Sequence, residues 1–157
     1  MSEMTFARTA GSIRTARTLP HGGLGVGTPV LAQQGAVAVE TVAPGDRLIT
    51  RNGARTVVAV EIGILPATVL VYLPKGALGR DCPQSDLVLA PGQPVLTQDR
   101  RGRVVMAQSL TGGDPVPSGV RTDHRPDHRL VTLHFAEDQV IYAAGLELEC
   151  NAATPGA

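Results

Sequence analysis

The chain has 157 residues, of which 43% are hydrophobic and 18% charged, values typical of a single globular domain. Lysine plus arginine and aspartate plus glutamate number 14 each, so the formal net charge is zero. The electrostatic basis for binding nucleic acid or an anionic membrane is therefore missing. Aromatic residues make up only 3%, too few for the stacking platforms on which single-stranded nucleic acid binds.

The N-terminal segment, residues 1–22, is expected to be a flexible tail. It carries arginines among small polar residues and lacks the continuous apolar stretch of a secretory signal. No run of about 18 apolar residues occurs in the sequence, which predicts no transmembrane helix and makes the cytoplasm the expected location. The glycine-rich residues 22–27 lack the Lys-Ser/Thr pair of a phosphate-binding loop, and we interpret them as a flexible lead into the first strand.

From Thr28 onward, short apolar runs alternate with turn residues, a pattern that indicates an all-β fold. The clearest turn is Asn52-Gly53, because Asn-Gly between two β-branched runs is the strongest short-range hairpin signal. Residues 112–127 are rich in Pro, Gly, Asp and His and are expected to form a loop. Strands are predicted at residues 28–32, 36–40, 47–50, 55–62, 67–73, 86–89, 94–98, 103–108, 129–135, 140–143 and 146–149.

The two cysteines, Cys82 and Cys150, lie far apart and form no C-x-x-C motif, so we expect two separate thiols rather than a disulfide or a redox pair. A second chemistry-bearing feature is the repeated Asp-His-Arg of residues 123–128. Its His124 and His128, together with His134, are candidate metal ligands. A solvated, charge-alternating loop is the favoured interpretation of this segment, and no metal or cofactor is expected.

Residues 27–50 resemble the opening of bacterial Hedgehog/intein (Hint) domains. They contain a Gly-Thr pair, a strand and a turn glycine, and then a string similar to the family's V-x-V-E-x-L-x-x-G-D-x-V-x-T. Two shorter matches follow in family order, at residues 76–91 and at residues 140–149. The resemblance implies an all-β horseshoe of short twisted strands with pseudo-twofold symmetry. It divides the chain into a tail at 1–22, a domain at 23–150 and a tail at 151–157.

Hint domains activate a peptide bond by an acyl shift, in which a thiol or hydroxyl on the residue after the scissile bond attacks the preceding carbonyl. The family usually has Cys four residues before the Gly of the Gly-Thr pair. The resemblance places Gly23 there, and glycine has no side chain to attack with. Thr28 carries the nearest hydroxyl, and we interpret it as structural.

Three further positions depart from the family's pattern. The family's central His corresponds to Gln93, which can form hydrogen bonds but cannot shuttle a proton near neutral pH. A second His, near the closing strands, corresponds to Asp138. Asn151 stands near the position of the cyclising Asn of inteins, but Cys150 precedes it where the family has His.

These departures lead to a degenerate Hint-like domain that neither splices nor cleaves itself and acts as a binding or structural module. Its old cleft, near Gly23, Thr28, Gln93 and Asp138, or an exposed edge would hold an unidentified protein or peptide partner. The alternative is an autoprocessing domain with an unusual nucleophile: Thr28, Cys82 or Cys150.

Overall fold

The computed structural model describes residues 12–16, 22–64, 70–79, 82–96, 104–110, 121–123 and 129–152, which hold fourteen strands and two short 3₁₀ helices. The 3₁₀ helices are Val39–Thr41 and Ala107–Leu110. The strands are β1 Ser12–Ala16, β2 Leu24–Gly25, β3 Pro29–Ala32, β4 Gly35–Ala38, β5 Arg47–Thr50, β6 Gly53–Ile64, β7 Leu70–Leu73, β8 Leu87–Leu89, β9 Pro94–Leu96, β10 Val104–Met106, β11 Arg121–Asp123, β12 Arg129–Phe135, β13 Gln139–Ala143 and β14 Leu146–Cys150.

The strands form one curled sheet, in which twelve follow the order β10-β9-β14-β13-β3-β5-β6-β12-β2-β8-β7-β11, while β4 pairs with β3 and β1 with β6 outside this order. All neighbours in this order are antiparallel, and the one parallel pair among the described strands joins β1 to β6. The long strand β6 connects the two halves of the sheet, because its first residues pair with β5 and the remainder pairs with β12. No α-helix occurs in the described ranges, so the predicted all-β fold is confirmed.

The Asn52-Gly53 hairpin forms as predicted. Thr50 pairs with Gly53, which has a φ of +86° that glycine adopts without strain. The Thr50 hydroxyl closes the turn: it donates to the Gly53 carbonyl over 2.7 Å and accepts from the Asn52 backbone N–H over 3.0 Å. The hairpin fixes the register of β6, and through it the register of β12.

Besides β1 in the N-terminal segment, two short strands lie where the sequence predicts none. Strand β2 falls in the glycine-rich lead, and β11 falls in the predicted loop at 112–127. The expectation of a flexible lead is wrong for residues 22–25, because these residues are buried and β2 pairs with both β12 and β8. Leu24 is the anchor: its side chain is 1% exposed within the main apolar core. Burying a leucine side chain contributes about 1.5–3 kcal/mol, enough to order a two-residue strand.

The proposed division into tail, domain and tail stays a prediction, although paired residues lie on both sides of 23–150. Strand β1 pairs with β6 inside the segment assigned to the N-terminal tail. On the other side, Ala152 forms a parallel bridge with Phe135. No helix in the described ranges has the length and hydropathy to cross a membrane.

Candidate functional site at the two chain junctions

The peptide bond between Gly22 and Gly23, here called the N-terminal junction, is held by side chains at both of its polar atoms. The Thr132 hydroxyl donates to the Gly22 carbonyl oxygen over 2.7 Å. The Gly23 N–H donates to Gln93 Oε1 over 3.1 Å. The next carbonyl, that of Gly23, accepts from the backbone N–H of Ala90 over 2.9 Å. The junction is therefore a buried backbone segment with its hydrogen bonds satisfied.

Gln93 is fixed in place by its own contacts. Its Nε2 donates to the carbonyl of Pro94 over 3.0 Å and to that of Glu149 over 2.9 Å. Its backbone N–H donates to Ala90 and its carbonyl accepts from Ala107. With only 3% of its surface exposed, the side chain has little freedom to turn. Its amide oxygen is therefore locked toward the Gly23 N–H.

Gln93 also restricts which residue can stand at position 22. A Cβ built on Gly22 would lie 2.7 Å from Gln93 Oε1 and 3.2 Å from Gln93 Cα. The first distance is far inside van der Waals contact, and the side chain that would have to move is anchored on two carbonyls. A side chain at position 22 would therefore collide with Gln93, whereas glycine fits.

The peptide bond between Asn151 and Ala152, here called the C-terminal junction, is also held at both ends. His134 Nδ1 lies 3.3 Å from the Asn151 carbonyl oxygen. The Ala152 N–H donates to Asp138 Oδ1 over 2.7 Å. On the far side of the ring, His134 Nε2 lies 2.5 Å from Glu61 Oε1.

Strand β12 brings the two junctions together. Thr132 and His134 are two residues apart on β12 and therefore point to the same face of the sheet. A cavity of about 10 Å³ separates the junctions, with Gly22, Gln93, Thr132, His134 and Asn151 among its lining residues. This is about the volume that one water molecule needs, so the described residues leave no room there for a larger ligand.

The alternative nucleophiles are not free to react. The Thr28 hydroxyl is buried and donates to the Gly25 carbonyl over 2.6 Å. Cys82 and Cys150 are separate buried thiols, as expected from the sequence. Burial raises the pKa of Cys82, and it raises the pKa of Cys150 to about 12, with the negative charge of Glu149 adding to the effect. Neither thiol forms an appreciable fraction of thiolate near neutral pH.

Four residues were expected to line one cleft, and of these Gln93 contacts Gly23 directly. The Thr28 hydroxyl instead donates to the Gly25 carbonyl, and the Asp138 carboxylate accepts from the Ala152 N–H. Of the candidate metal ligands, His124 and His128 lie outside the described residues, and His134 faces Glu61 and Asn151. The described residues contain no group of three or more His, Cys, Asp or Glu arranged to hold a metal ion.

Sequence reasoning missed Thr132 and Glu61 and gave His134 a different role. A signal for two of them was present, because Thr132 and His134 are polar residues on one face of the strand Arg129–Phe135, whose other residues after Arg129 are apolar. Buried polar side chains usually have a dedicated partner. Their partners are two backbone carbonyls and, for His134, also the Glu61 carboxylate, which only the folded chain brings near.

The fold of this chain is similar to that of inteins and an intein-like domain of known structure. The solution structure of the bacterial intein-like domain from Clostridium thermocellum matches with a TM-score of 0.57 at 16% identity, covering 82% of this chain and 97% of that one. The gp41-1 intein matches with a TM-score of 0.56 at 13% identity, covering 81% and 97%. The Msm DnaB1 intein splicing domain bound with zinc gives 0.52 at 17% identity, covering 80% and 98%. At these low identities, the TM-scores show a similar fold.

The sequence profile of the Hint domain family matches residues 23–155, and the chain belongs to that family. The predicted Hint-type fold and the resemblance on which it was based are both confirmed. No curated protein gives a significant match. The matched range begins at Gly23, directly after the Gly22 carbonyl that Thr132 binds.

Proposed function

We propose that this Hint domain is a structural module that holds its own N-terminal junction without cleaving or splicing it. The observation that carries the proposal is the contact between the Gly23 N–H and Gln93 Oε1. Breaking a peptide bond requires a proton on the departing nitrogen, and a glutamine amide oxygen has none to give. Gly23 supplies no attacking atom, so the bond lacks both a nucleophile and an acid.

The state of the other nucleophiles supports the same function. The Thr28 hydroxyl is bonded to a backbone carbonyl, and the two thiols are buried with raised pKa values. A domain that processed itself through one of them would have to bring the group to the Gly22 carbonyl, which Thr132 already holds within the core of the sheet.

The small cavity favours a structural module over a ligand-binding cleft. Because the space between the junctions is about 10 Å³, the old catalytic centre is filled by the chain itself. The peptide that this centre binds is its own Gly22-Gly23 segment, which it does not cleave. A partner protein, if one binds, uses another surface.

Intact-mass analysis of freshly purified full-length chain tests the proposal. The chain is incubated with and without added thiol, because a thioester at the N-terminal junction would be captured by the thiol. An unchanged mass in both samples supports the proposal. Appearance of the fragment that begins at residue 23 would overturn it.

A second candidate function is self-cleavage at the C-terminal junction, and the contacts of His134 and Asp138 favour it. The Nδ2 of Asn151 would attack its own backbone carbonyl carbon and lose a proton, the C–N bond to Ala152 would break, and that proton would pass to the Ala152 nitrogen. The products would be a C-terminal succinimide and the peptide 152–157. His134 lies at the carbonyl oxygen and Asp138 at the departing nitrogen.

The two candidates are separated by the same mass spectrum. Loss of residues 152–157 from the wild-type chain, absent in Asn151→Ala, would support C-terminal cleavage and leave the proposal for the N-terminal junction untouched. A wild-type mass that stays constant would rule out the second candidate.

A further inference from the structure

The hairpin of β5 and β6 carries three arginines whose surroundings differ. Arg51 is paired with a carboxylate, since its Nε and Nη2 donate to Glu147 over 3.2 and 2.8 Å. Arg47 and Arg55 are both exposed, and among the described residues no carboxylate lies within ion-pair distance of either guanidinium group. Two positive charges of this hairpin therefore lack a counter-charge in the part of the chain that the structure describes.

These two arginines meet at one backbone oxygen. Arg47 Nη2 donates to the Ala54 carbonyl over 3.2 Å, and Arg55 Nη1 donates to the same oxygen over 3.0 Å. The guanidinium groups therefore lie side by side, although their like charges repel each other. A guanidinium group has five N–H donors and each of these bonds uses one, so both groups keep donors that bind no described residue.

Two carboxylates lie nearby without neutralising the pair. Asp46 precedes Arg47 in the chain, and its Oδ2 accepts the Ala43 N–H over 2.9 Å. Glu137 lines a cavity together with Arg55 but forms no ion pair with it. Their negative charges oppose the approach of an anion, so binding has to come from direct contact with both guanidinium groups.

We propose that Arg47 and Arg55 form a binding site for a doubly charged oxyanion of the phosphate type. A guanidinium group offers parallel N–H groups to a phosphate, and two such groups match the charge and the several oxygens of the dianion. The bound anion also removes the repulsion between the two arginines. Their bonds to the Ala54 carbonyl hold both groups in place before the ligand arrives, which lowers the entropic cost of binding.

The site is separate from the two chain junctions. The groups that hold the junctions are Thr132, Gln93, His134 and Asp138, and neither arginine is among them. The inference therefore goes beyond the proposed function, and it holds whether or not either junction is cleaved.

Titration of the full chain with sodium phosphate tests the site. The pH is kept at about 8, where phosphate is mainly the dianion, and sodium chloride is adjusted to hold the ionic strength constant. Nuclear magnetic resonance follows the side-chain Nε–H groups of the arginines and the backbone amides of the hairpin. We expect saturable shifts at Arg47 and Arg55 with a dissociation constant of about 1 mM.

Arg47→Gln and Arg55→Gln each remove one guanidinium group at an exposed position, so the fold should persist while phosphate binds about tenfold more weakly. Arg51→Gln is the matched control, because it removes the same charge from the same hairpin but from an arginine already paired with Glu147. Its dissociation constant should stay within about threefold of the wild-type value. Equal weakening by Arg51→Gln and Arg55→Gln, or wild-type shifts that never saturate, would overturn the proposal.

A phosphoserine peptide with uncharged flanking residues separates the two sources of the anion. Binding of the peptide at least as tightly as inorganic phosphate identifies a phosphorylated side chain as the ligand, whereas tighter binding of inorganic phosphate identifies the free ion. In either case Arg55→Gln must weaken the tighter ligand. If it does not, the anion binds elsewhere and the proposal fails.

Discussion

Gln93 occupies the space that a side chain at Gly22 would need, since its amide oxygen lies 2.7 Å from the position of a Cβ on Gly22. The same oxygen accepts the hydrogen bond of the Gly23 N–H. One side chain therefore both restricts the residue before the junction and holds the amide after it. The contacting residues are about 70 positions apart in the sequence.

This contact predicts that substitutions at positions 22 and 93 have strongly coupled effects on the free energy of unfolding. We expect Gly22→Ala to destabilise the domain by about 1–3 kcal/mol, because the anchored glutamine must move. Gln93→Ala should cost a similar amount, since it leaves the buried Gly23 N–H without an acceptor. Truncating the glutamine removes the 2.7 Å contact and leaves only the tight 3.2 Å contact with the Cα of residue 93, so the double variant should cost at least about 1 kcal/mol less than the sum of the two.

Urea denaturation of the four proteins in this cycle measures the coupling. Strictly additive effects would mean that Gln93 does not restrict position 22.

Thr132 is predicted to stabilise the domain through its bond to the Gly22 carbonyl. Thr132→Val keeps the shape of the side chain and removes the donor, so we expect a loss of about 1–3 kcal/mol in the free energy of unfolding. Thr132→Ser keeps the hydroxyl and should recover most of that loss. The exposed Thr56 on β6 offers a control, because Thr56→Val should change stability by less than about 0.5 kcal/mol. Equal losses for Thr132→Val and Thr132→Ser would show that the hydroxyl contributes nothing.

The raised pKa of Cys150 predicts that stability falls in alkaline solution. The folded thiol holds its proton up to about pH 12, whereas the unfolded thiol loses it near the ordinary value of 9.0. Unfolding therefore releases a proton between these values. The stabilising effect is complete below pH 9 and decreases as the pH rises, by at most about 1.4 kcal/mol per pH unit.

Cys150→Ala isolates this effect, because all other titrating groups are the same in both proteins. The difference in unfolding free energy between wild type and variant should narrow between pH 9 and the highest pH at which the fold persists. A difference that does not depend on pH would mean that the thiol is not protonated more strongly in the folded state.

The sequence predicted the strands better than the contacts at the site. Strand patterns depend on neighbouring residues, whereas the site contacts join residues far apart in the chain. Alternation of apolar residues and the Asn52-Gly53 turn predict elements from neighbours in the chain, and strands such as β5 and β12 lie where they were expected. Strand β2 was missed because two residues carry no periodicity, and its burial comes from Leu24 packing between distant strands.

The contacts at the junctions could not be derived from local pattern. The contact between Gln93 and Gly23 required the family's motif order to suggest it, since the two residues are 70 positions apart. No sequence motif identifies Thr132 and His134 as the residues that contact the junctions, because any strand can carry a polar residue on one face. Their roles follow from the carbonyls that the closed sheet places opposite them.

The most direct measurement compares the wild-type chain with Gly23→Cys/Gln93→His by intact mass in the presence of thiol. In the double variant, the introduced sulfur at position 23 can attack the Gly22 carbonyl carbon, the C–N bond breaks as the nitrogen takes a proton from the imidazole, and added thiol releases residues 1–22 as a thioester. Gly23→Ala/Gln93→His, which adds a Cβ without a thiol, is the control. We predict that the double variant is cleaved at residue 23 while the wild type and the control keep their full mass. Cleavage of the wild-type chain between Gly22 and Gly23 under the same conditions would contradict the conclusion that this domain holds its junction intact.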